Sequence, residues 1–499
     1  MILTIDEGTT GVRALLIDRE GQIRGRGYRE FKQYFPQPGR VEHDAIEIWD
    51  VTRAVVDIAL GEASITPSDI AGIGITNQRE TVVVWDRATG TPVHRAIVWQ
   101  DRRTADLCAE LRSRGLEDLV RDRTGLLLDP YFSGTKLTWL FREQPELQTR
   151  AEAGELVAGT MDTWLIWNLT AGALHITDPT NASRTLLFDL DKGDWDERLL
   201  EIFEVPRAVL PEVRPSSEVY GSTDPAIFGV ALPIAGIAGD QQAALFGQGC
   251  TTAGLGKNTY GTGAFLLMHT GEHRVRSERG LLTTAACGPR GEYAFALEGS
   301  IFIAGAAVQW LRDGLGVIQT AAETEALAES LDGNDGVYFV PAFTGLGAPY
   351  WNPDVRGVIS GLTRGSTTAH LARAALEAMA YSTSEVADAM EADSGVEMAE
   401  LRVDGGAAAN GWMMQFQSDI LGVTVRRPAI IETTAYGAAG LAGLAVGFWK
   451  SPEEFQAARR DHTIFEPAMQ DGMRESLLAG WRRAIAAARM LTTDAPETT

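Results

Sequence analysis

The sequence predicts an α/β protein with two domains and a cleft between them, and three observations support this prediction. The chain has 499 residues, 45% of them hydrophobic, which is more than one core usually holds. Apolar runs of strand length alternate with patterns of helical period. A strand, a Gly/Thr turn and a second strand open the chain and recur over Gly254–Thr270. The repeat predicts two similar domains, 1–244 and 245–499, each presenting one hairpin loop to a shared ligand cleft.

The first domain is predicted to begin with an antiparallel meander. Ile2–Asp6 is an apolar run that ends in an acid, Glu7–Gly11 is turn-like, and Ala14–Asp18 is apolar again. Gly21 then turns the chain into Gln22–Tyr28. The first turn therefore carries a glycine and two threonines at the edge of a sheet.

A helix is predicted to follow, with Asp44 as its N-cap and Glu47 completing a capping box. Its apolar residues recur at helical spacing: Ile48, Val51, Val55 and Ile58. Further strands are predicted at Ile73–Thr76, Thr81–Asp86, Ala96–Trp99 and Ile234–Ile237. From Ala369 onward the pattern predicts helix, apart from a strand and glycine break at Leu401–Gly406.

Charge and cysteine usage limit the possible partners. The formal net charge of −23 argues against DNA, RNA or an anionic membrane. Any bound phosphate must then be held locally, by backbone amides, a metal ion or a few placed cations. Cys108, Cys250 and Cys287 form no CxxC and no metal-like spacing, and the chain start has no signal-peptide pattern. We therefore expect a cytoplasmic protein with reduced thiols and no membrane insertion.

Two Gly/Thr turns are candidate phosphate loops. In Asp6–Thr10 the glycine lets backbone amides point into a concave turn, and two hydroxyls add donors. Arg13 follows within reach of a phosphate, and Asp6 at a strand end can hold magnesium through water. Thr259–Gly263 repeats the pattern. Either turn alone is as well explained by an ordinary hairpin, but two of them can clamp a nucleoside triphosphate from both sides.

Two further strand ends carry candidate groups. Asp240 in Gly239-Asp240 follows an apolar strand, where it can act as a general base or order a metal. It can equally cap the next helix. The pair Gly405-Gly406 lets the backbone approach a flat ligand, although a glycine hinge before a helix is common.

A dense polar set, Thr76–Glu80, follows another apolar strand. Arg79 offers donors and Glu80 offers acceptors, which the adjacent hydroxyls of a small polyol both need. A salt bridge in a surface turn is the alternative. Aromatic residues beside the polar motifs can pack on a carbon backbone, or can simply belong to the core: Trp99, Tyr131 and Phe265.

Asp6–Thr10, Asn77–Glu80, Gly239–Gln241 and Tyr260–Gly263, in that order, strongly resemble the FGGY family of carbohydrate kinases, and in particular its members that act on glycerol. The likeness runs from about residue 2 to about residue 485. It includes the long blocks Ile73–Glu80, Ala96–Thr104, Asp129–Lys136, Thr180–Thr185, Ile237–Gly247 and Val340–Trp351.

The resemblance implies the actin-like, ribonuclease-H-type ATPase fold, in which two α/β domains close on the substrates. It implies a kinase that uses ATP and Mg²⁺ to phosphorylate glycerol to sn-glycerol 3-phosphate, the first step of glycerol catabolism. Family members form dimers and tetramers, so a homodimer or a homotetramer is expected.

The resemblance also assigns roles by position. Asp240 would be the catalytic base, and Asp6 with Asp240 would order Mg²⁺. The polyol would be held by Arg79, Glu80, Tyr131, Asp240 and Gln241, with Trp99 and Phe265 packed on its carbons. The nucleotide would contact Thr9, Thr10, Gly11, Arg13, Thr262, Gly305, Gln309, Gly406 and Asn410.

The chain departs from the family pattern at three places. Glu7 stands where Gln is usual, which adds a carboxylate near the phosphates of ATP. Gly11-Val12 replaces a pair of serines and removes two hydroxyl donors. Ser222–Pro233 contains no Lys or Arg, whereas some bacterial members bind a sugar-bisphosphate inhibitor through a cationic loop in this region. We expect that regulation to be weak or absent here.

Three other functions stay open from the sequence: a kinase of the same family for a pentulose or longer polyol, a non-catalytic actin-like nucleotide switch, and a degenerate kinase kept as a binding protein. The pair Arg79-Glu80 argues against the first two, because it matches the glycerol enzymes and a switch would not need it. The retained Asp6 and Asp240 argue against the third, whereas Glu7 and Gly11-Val12 keep it open.

Overall fold

The computed structural model describes residues 1–429, 432–458 and 462–493. The strands of the first half of the chain, residues 1–247, are β1 (Ile2–Glu7), β2 (Gly11–Ile17), β3 (Ile23–Glu30), β4 (Gln33–Tyr34), β5 (Glu42–His43), β6 (Gly72–Asn77), β7 (Val82–Asp86), β8 (Ala96–Ile97), β9 (Leu156–Thr160), β10 (Ile176–Thr177), β11 (Phe188–Asp189), β12 (Asp194–Trp195), β13 (Glu212–Val213), β14 (Ser217–Ser222) and β15 (Pro233–Gly239). Its helices are α1 (Ala45–Ala63), α2 (Ala105–Ser113), α3 (Glu117–Thr124), α4 (Ser133–Glu143), α5 (Pro145–Glu152), α6 (Met161–Leu169), α7 (Pro179–Ala182), α8 (Glu197–Phe203), α9 (Pro225–Phe228) and α10 (Asp240–Gly247).

The second half of the chain contains the strands β16 (Leu255–Tyr260), β17 (Ala264–Gly271), β18 (Leu282–Cys287), β19 (Tyr293–Ile301), β20 (Tyr338–Val340), β21 (Val358–Ser360), β22 (Glu400–Asp404), β23 (Thr424–Pro428) and β24 (His462–Phe465). Its helices are α11 (Gly305–Asp313), α12 (Glu323–Glu329), α13 (Thr368–Ser394), α14 (Gly411–Leu421), α15 (Thr433–Ala445), α16 (Pro452–Ala457) and α17 (Asp471–Thr493). Short 3-10 turns lie at Pro67–Asp69, Arg207–Val209 and Gly406–Ala409.

The first large sheet has the strand order β14-β15-β6-β1-β2-β3. Strands β1, β2 and β3 pair antiparallel, so the predicted meander is confirmed. Strands β6 and β15 then add parallel to β1, one after the other. Because β1, β6 and β15 run in one direction, their carboxyl ends lie along the same edge of the sheet.

The second large sheet has the order β18-β19-β17-β16-β22-β23-β24. Strands β16, β17 and β19 form an antiparallel meander, and β22 and β23 add parallel beside β16. The central five strands therefore repeat the arrangement of the first sheet. The Gly/Thr hairpin that recurs in the sequence joins the first two strands of each meander.

Helices cover both faces of the first sheet. Helix α1 packs on β2 and β3, and its buried side chains join those of β1 and β6 in one apolar cluster. The opposite face is covered by α10 and by α15, which comes from the second half of the chain. A division between residues 244 and 245 therefore separates the two sheets but not the helices that cover them. The domain boundaries 1–244 and 245–499 stay a prediction.

The local predictions were right in most elements and wrong in three details. Asp44 caps α1 by accepting from the amides of Ile46 and Glu47, but Glu47 does not complete a capping box, because its carboxylate accepts from the Lys32 amide instead. Ile58 faces solvent, with 38% of its surface exposed. Two strands after Ala369, β23 and β24, have no counterpart in the sequence reading, since their residues alternate too weakly.

The three cysteines are free and buried, as expected for reduced thiols. In the described part of the chain, no helix combines the length and the apolar character that crossing a membrane requires.

Candidate active site

The ends of three parallel strands bring the predicted catalytic groups together. Register pairs Asp6 of β1 with Thr76 of β6, and Asn77 of β6 with Gly239 of β15. Asp240 follows Gly239 directly as the first residue of α10. The acidic strand end of β1, the polar set after β6 and the acid after β15 therefore meet at one edge of the sheet.

Asp240 is the more exposed of the two acids at this edge. Its Oδ1 accepts from the amide of Gln241 at 2.7 Å and lies 3.2 Å from Arg79 Nε. The N-cap of α10 is Gly239, so the helix-cap role considered for Asp240 is not the one it has. About a third of its side-chain surface, 34%, is open to the cleft, which leaves the carboxylate accessible to a substrate hydroxyl.

Asp6 is enclosed beside the same cleft. Arg13 Nη1 lies 3.7 Å from Asp6 Oδ2, and the arginine side chain is 39% exposed. Burial raises the pKa of Asp6 to about 6, while Arg13 acts to lower it and the nearby Asp240 to raise it. Two neighbouring carboxylates that repel each other are suited to share a divalent cation.

Behind Asp240, two arginines and two glutamates alternate in a buried network. Arg79 donates to both oxygens of Glu298, at 2.7 and 3.1 Å. Arg184 donates to Glu80 Oε1 at 2.6 Å and to Glu298 Oε1 at 3.1 Å. All four side chains are almost fully buried. Burial raises the pKa of Glu298, but Arg184 and Arg79 outweigh this effect and lower the pKa to about 2.

The network fixes Arg79 and Glu80 in place, and two of its members were missed from the sequence. Arg184 lies in the block Thr180–Thr185, which was recognised only as a whole, and Glu298 stands inside β19 with no motif around it. The sequence does carry one signal that could have identified Glu298, which is a charged residue in an otherwise apolar strand. Since a buried charge needs a partner, that signal indicates a nearby cation.

Glu80 has an unusual backbone conformation. Its φ is +64°, which is costly for a residue with a side chain, and Ser133 Oγ donates to its carbonyl at 2.9 Å. The conformation directs its carboxylate to Arg184, which occupies Oε1. Within the described residues, no hydrogen bond is formed to the second oxygen, Oε2.

The predicted aromatic wall is formed in part by Trp99 and Tyr131. Their rings pack edge to face with centroids 5.6 Å apart. Trp99 Nε1 donates to Thr9 Oγ1 at 2.9 Å, which links this wall to the first hairpin. The buried ammonium of Lys136 donates to the carbonyl of Tyr131 and to those on either side of it. Phe265 lies half-buried on β17, against a separate apolar cluster.

The first hairpin explains one departure from the family pattern. A Cβ on Gly11 would lie 2.6 Å from the carbonyl oxygen of Arg29 and 2.9 Å from the Tyr28 ring, so no side chain fits there without movement. Val12 is fully buried among core residues. Thr10 is exposed and Thr9 is half-buried. Thr10 is therefore the more accessible of the two threonines in this loop.

Glu7, the second departure, points into the protein. It is fully buried, and its Oε1 accepts from Gln78 Nε2 at 2.8 Å. Burial raises the pKa of Glu7 well above its usual value. Burial thus favours the protonated, uncharged form of this carboxyl, which resembles the glutamine that is usual at this position.

The second hairpin packs against the start of α11. The amide of Gly305 donates to the carbonyl of Gly261 at 3.0 Å, and the amide of Ala304 donates to that of Thr262 at 2.8 Å. The side chain of Thr262 is exposed, as is Gln309 on α11. These two predicted nucleotide contacts are therefore open to solvent on the side of the second sheet.

Gly405 and Gly406 follow β22 beside that hairpin. Gly405 has φ of +84°, and a Cβ there would lie 2.4 Å from the carbonyl oxygen of Tyr260. A Cβ on Gly406 would meet nothing within 4 Å. Asn410 caps α14, since its Oδ1 accepts from the Met413 amide at 2.8 Å. The loop thus brings an open backbone surface and a helix start to the cleft.

The described residues contain no cluster of three or more His, Cys, Asp or Glu side chains able to hold a metal ion by themselves. The pair Asp6 and Asp240 remains as the local set of carboxylates. Mg²⁺ is usually held by one or two carboxylates together with substrate phosphates and water, so a pair of this kind fits it.

Comparison with known proteins agrees with this geometry. Residues 1–247 match the N-terminal domain, and residues 256–446 the C-terminal domain, of the FGGY family of carbohydrate kinases. Proteins named glycerol kinase from Geobacillus kaustophilus and Thermus thermophilus are each 57% identical over 488 residues, covering 98% of this chain and 98% of the relative.

Solved structures give the same result for the fold. A glycerol kinase from Plasmodium falciparum, crystallised with ADP, is 38% identical with a TM-score of 0.92, covering 98% of both chains. A xylulose kinase from Rhodospirillum rubrum, at 24% identity and a TM-score of 0.87 over 98% of this chain and 99% of that one, shares the fold. The predicted two-domain, actin-like α/β fold is confirmed, and the chain belongs to the FGGY family of carbohydrate kinases.

Proposed function

We propose that this chain is an ATP-dependent kinase that phosphorylates a terminal hydroxyl of glycerol to give sn-glycerol 3-phosphate. The observation that carries the proposal is the fixed placement of Arg79 and Glu80 beside Asp240. Support comes from the 57% identity to glycerol kinases, which extends over 98% of the chain. ATP as the phosphoryl donor agrees with membership of a kinase family.

In this proposal the polyol lies between the ion network and the aromatic wall. Arg79 and Glu80 supply donors and an acceptor for adjacent hydroxyls. The remaining polyol contacts are Tyr131, Asp240 and Gln241, with Trp99 and Phe265 packed on the carbons. Since Arg184 and Glu298 fix the charged pair before substrate arrives, little side-chain entropy is lost on binding.

The chemical step is phosphoryl transfer, in which alignment and charge neutralisation matter most. Asp240 accepts the proton of the attacking hydroxyl, late in a loose transition state. Arg13, with an exposed guanidinium, and the amides of the two hairpins take up phosphoryl charge. Asp6 and Asp240 would hold Mg²⁺, which when bound supplies further positive charge at the phosphates.

The nucleotide contacts of the proposal lie on both hairpins. The outer phosphates meet Thr9, Thr10, Gly11 and Arg13, and the rest of the nucleotide meets Thr262, Gly305, Gln309, Gly406 and Asn410. Domains 1–244 and 245–499, assembly as a homodimer or homotetramer, and a cytoplasmic location belong to the same proposal.

The experiment is ADP release by the purified protein with ATP and Mg²⁺, with glycerol, dihydroxyacetone, erythritol and xylulose compared side by side. We expect a strong preference for glycerol. Preference for another polyol would refute the substrate while keeping the reaction. Tight ATP binding without turnover of any of them would refute the activity and favour a degenerate kinase.

A further inference from the structure

One fully buried lysine, Lys257, has no place in the proposed reaction. Lys257 lies on β16 of the second sheet, and its side chain reaches across to α10 of the first half. None of its surface is exposed. Burying an ammonium is costly unless its donors are used, so its partners indicate what it does.

Lys257 Nζ donates to two side chains that belong to different parts of the cleft. One acceptor is Oε1 of Gln241, the residue after Asp240. The other is Thr259 Oγ1, at 2.8 Å, at the base of the second hairpin. Thr259 lies on the same face of β16 as Lys257, so its hydroxyl fixes the position of the ammonium group. The ammonium group in turn fixes the side chain of Gln241.

Three carboxylates lie near Lys257, but they do not offset its burial. The pKa of Lys257 is lowered, mainly by burial, which Asp404, Asp240 and Glu298 oppose and to which Arg79 adds. As an ammonium, Lys257 has donors and no acceptor. Only the oxygen of the Gln241 amide can therefore face it.

The hydrogen bond from Lys257 fixes the orientation of the Gln241 side-chain amide, whose oxygen and nitrogen could otherwise exchange places. With Oε1 turned to Lys257, Nε2 of Gln241 is on the opposite side. Within the described residues nothing accepts from that Nε2, and Gln241 is half-buried beside Asp240. The free donor therefore belongs to the residue that follows Asp240, whose carboxylate is about a third exposed.

We propose that Lys257 is a positioning residue that fixes Gln241 so that its Nε2 donates to a hydroxyl oxygen of the polyol. The inference rests on the proposed function and adds a residue to it. A lysine in a kinase can instead bind the transferred phosphate directly, but this one has no exposed surface with which to do so.

The test begins with Lys257→Met, which keeps the length of the side chain and removes its donors. Losing the amide orientation removes one hydrogen bond between Gln241 and the polyol, so the KM for glycerol should rise about tenfold. We expect kcat to change by less than about threefold, because the lost contact is equal in the ground and transition states. A lysine that bound the phosphoryl group would mainly lower kcat.

A double-mutant cycle with Gln241→Ala separates positioning from general damage. If Lys257 acts through Gln241, then Lys257→Met should have almost no further effect on the KM for glycerol once Gln241 is alanine. Independent, additive effects would overturn the inference. Lys192→Met, an exposed lysine paired with Asp196, is the control and should match the wild type.

A second variant and the turnover of the wild type complete the test. If Lys257→Met does not fold, Thr259→Val removes one of the two acceptors at constant volume and should raise the KM for glycerol in the wild-type background but not in Gln241→Ala. If the wild type is active and these variants keep its KM for glycerol, the inference about Lys257 is overturned and the proposed function stands. Wild type without turnover of glycerol would overturn the proposed function and this inference with it.

Discussion

At the residue scale, the first hairpin is held from behind by a chain of neutral side chains. His43 Nε2 lies 2.6 Å from Gln33 Oε1, and Gln33 Nε2 donates to the carbonyl of Thr9 at 3.0 Å. On the other side of the imidazole, Gln78 Nε2 lies 3.3 Å from His43 Nδ1 and also contacts the carbonyl of Gly8. His43 is therefore a structural contact that supports the first hairpin from behind.

This arrangement predicts an acid-sensitive fold. Burial lowers the pKa of His43 from 6.5 to about 4, so below pH 6.5 the unfolded chain binds a proton that the folded chain does not. Stability is then lost as the pH falls from about 6.5 toward 4, by about 2 kcal/mol between pH 7.5 and 5 for this residue. We expect His43→Gln to unfold with a weaker pH dependence over that range, measured by denaturant titration.

His175 and His269 provide the comparison, because burial also lowers the pKa of each to about 4. Removing one of the three should reduce the histidine contribution by about a third. An acid dependence of His43→Gln identical to that of the wild type would mean that folding does not lower the pKa of His43.

Some residues of the candidate site could be predicted from the sequence and others could not. Arg79, Glu80 and Asp240 follow apolar strands directly, and a polar residue at a strand end is a signal that the sequence carries. Arg184 and Glu298 were missed because their partners lie far away along the chain. For Arg79 and Glu298 the separation is 219 residues, and only the fold brings them together.

At the scale of elements, the connection from β22 to α14 depends on two adjacent glycines with opposite requirements. Gly405 needs its positive φ and its close approach to the carbonyl of Tyr260, whereas Gly406 faces open space. We expect Gly405→Ala to lower stability by about 2–4 kcal/mol, because it combines backbone strain with a steric clash. Thermal unfolding measures this loss.

Gly406→Ala is the matched control, since an added methyl group meets no protein atom. It should unfold like the wild type and yet bind ATP more weakly if the nucleotide contacts this backbone. Equal stability of the two variants would contradict the structural account. Wild-type ATP affinity in Gly406→Ala would remove Gly406 from the nucleotide site.

Elements with strong periodicity were predictable, and the short strands at one side of the second sheet were not. The opening meander and α1 follow from alternating or helical apolar patterns. In contrast, β23 and β24 are formed by Thr424–Pro428 and His462–Phe465, where polar and charged residues interrupt the pattern. Such strands form because a neighbouring strand is present, a tertiary effect that local pattern does not record.

At the scale of the whole molecule, Glu298 joins the two halves at the floor of the proposed polyol pocket. It stands on β19 of the second sheet and binds Arg79 and Arg184 of the first half. We expect Glu298→Gln to lower stability by about 3–5 kcal/mol, because it leaves buried arginines without a counter-charge. It should also raise the KM for glycerol, because Arg79 and Glu80 lose their fixed positions.

Glu400→Gln offers a matched control within one sheet. Glu400 also lies between two arginines, Arg402 and Arg426, but all three belong to the second sheet. Its loss should lower the thermal midpoint without changing the KM for glycerol. If Glu298→Gln behaved in the same way, the network would be structural and would not position the polyol contacts.

Regulation is a second property of the whole molecule. Ser222–Pro233, which connects β14 to β15 through α9, contains no Lys or Arg. A bisphosphate needs cations to bind tightly, so we expect fructose bisphosphate to leave the kinase activity unchanged at physiological concentration. A dose-dependent fall in ADP release would show that a cationic site lies elsewhere.

The central claim is that Asp240 takes the proton of the attacking hydroxyl, and Asp240→Asn tests it most directly. The substitution keeps the size of the side chain and its contact with the Gln241 amide, so the cleft should stay intact. The measurement is ADP release with glycerol, alongside ATP binding to the same protein. The account predicts that turnover nearly disappears while ATP still binds. Turnover close to that of the wild type would contradict it and remove Asp240 from the chemical step.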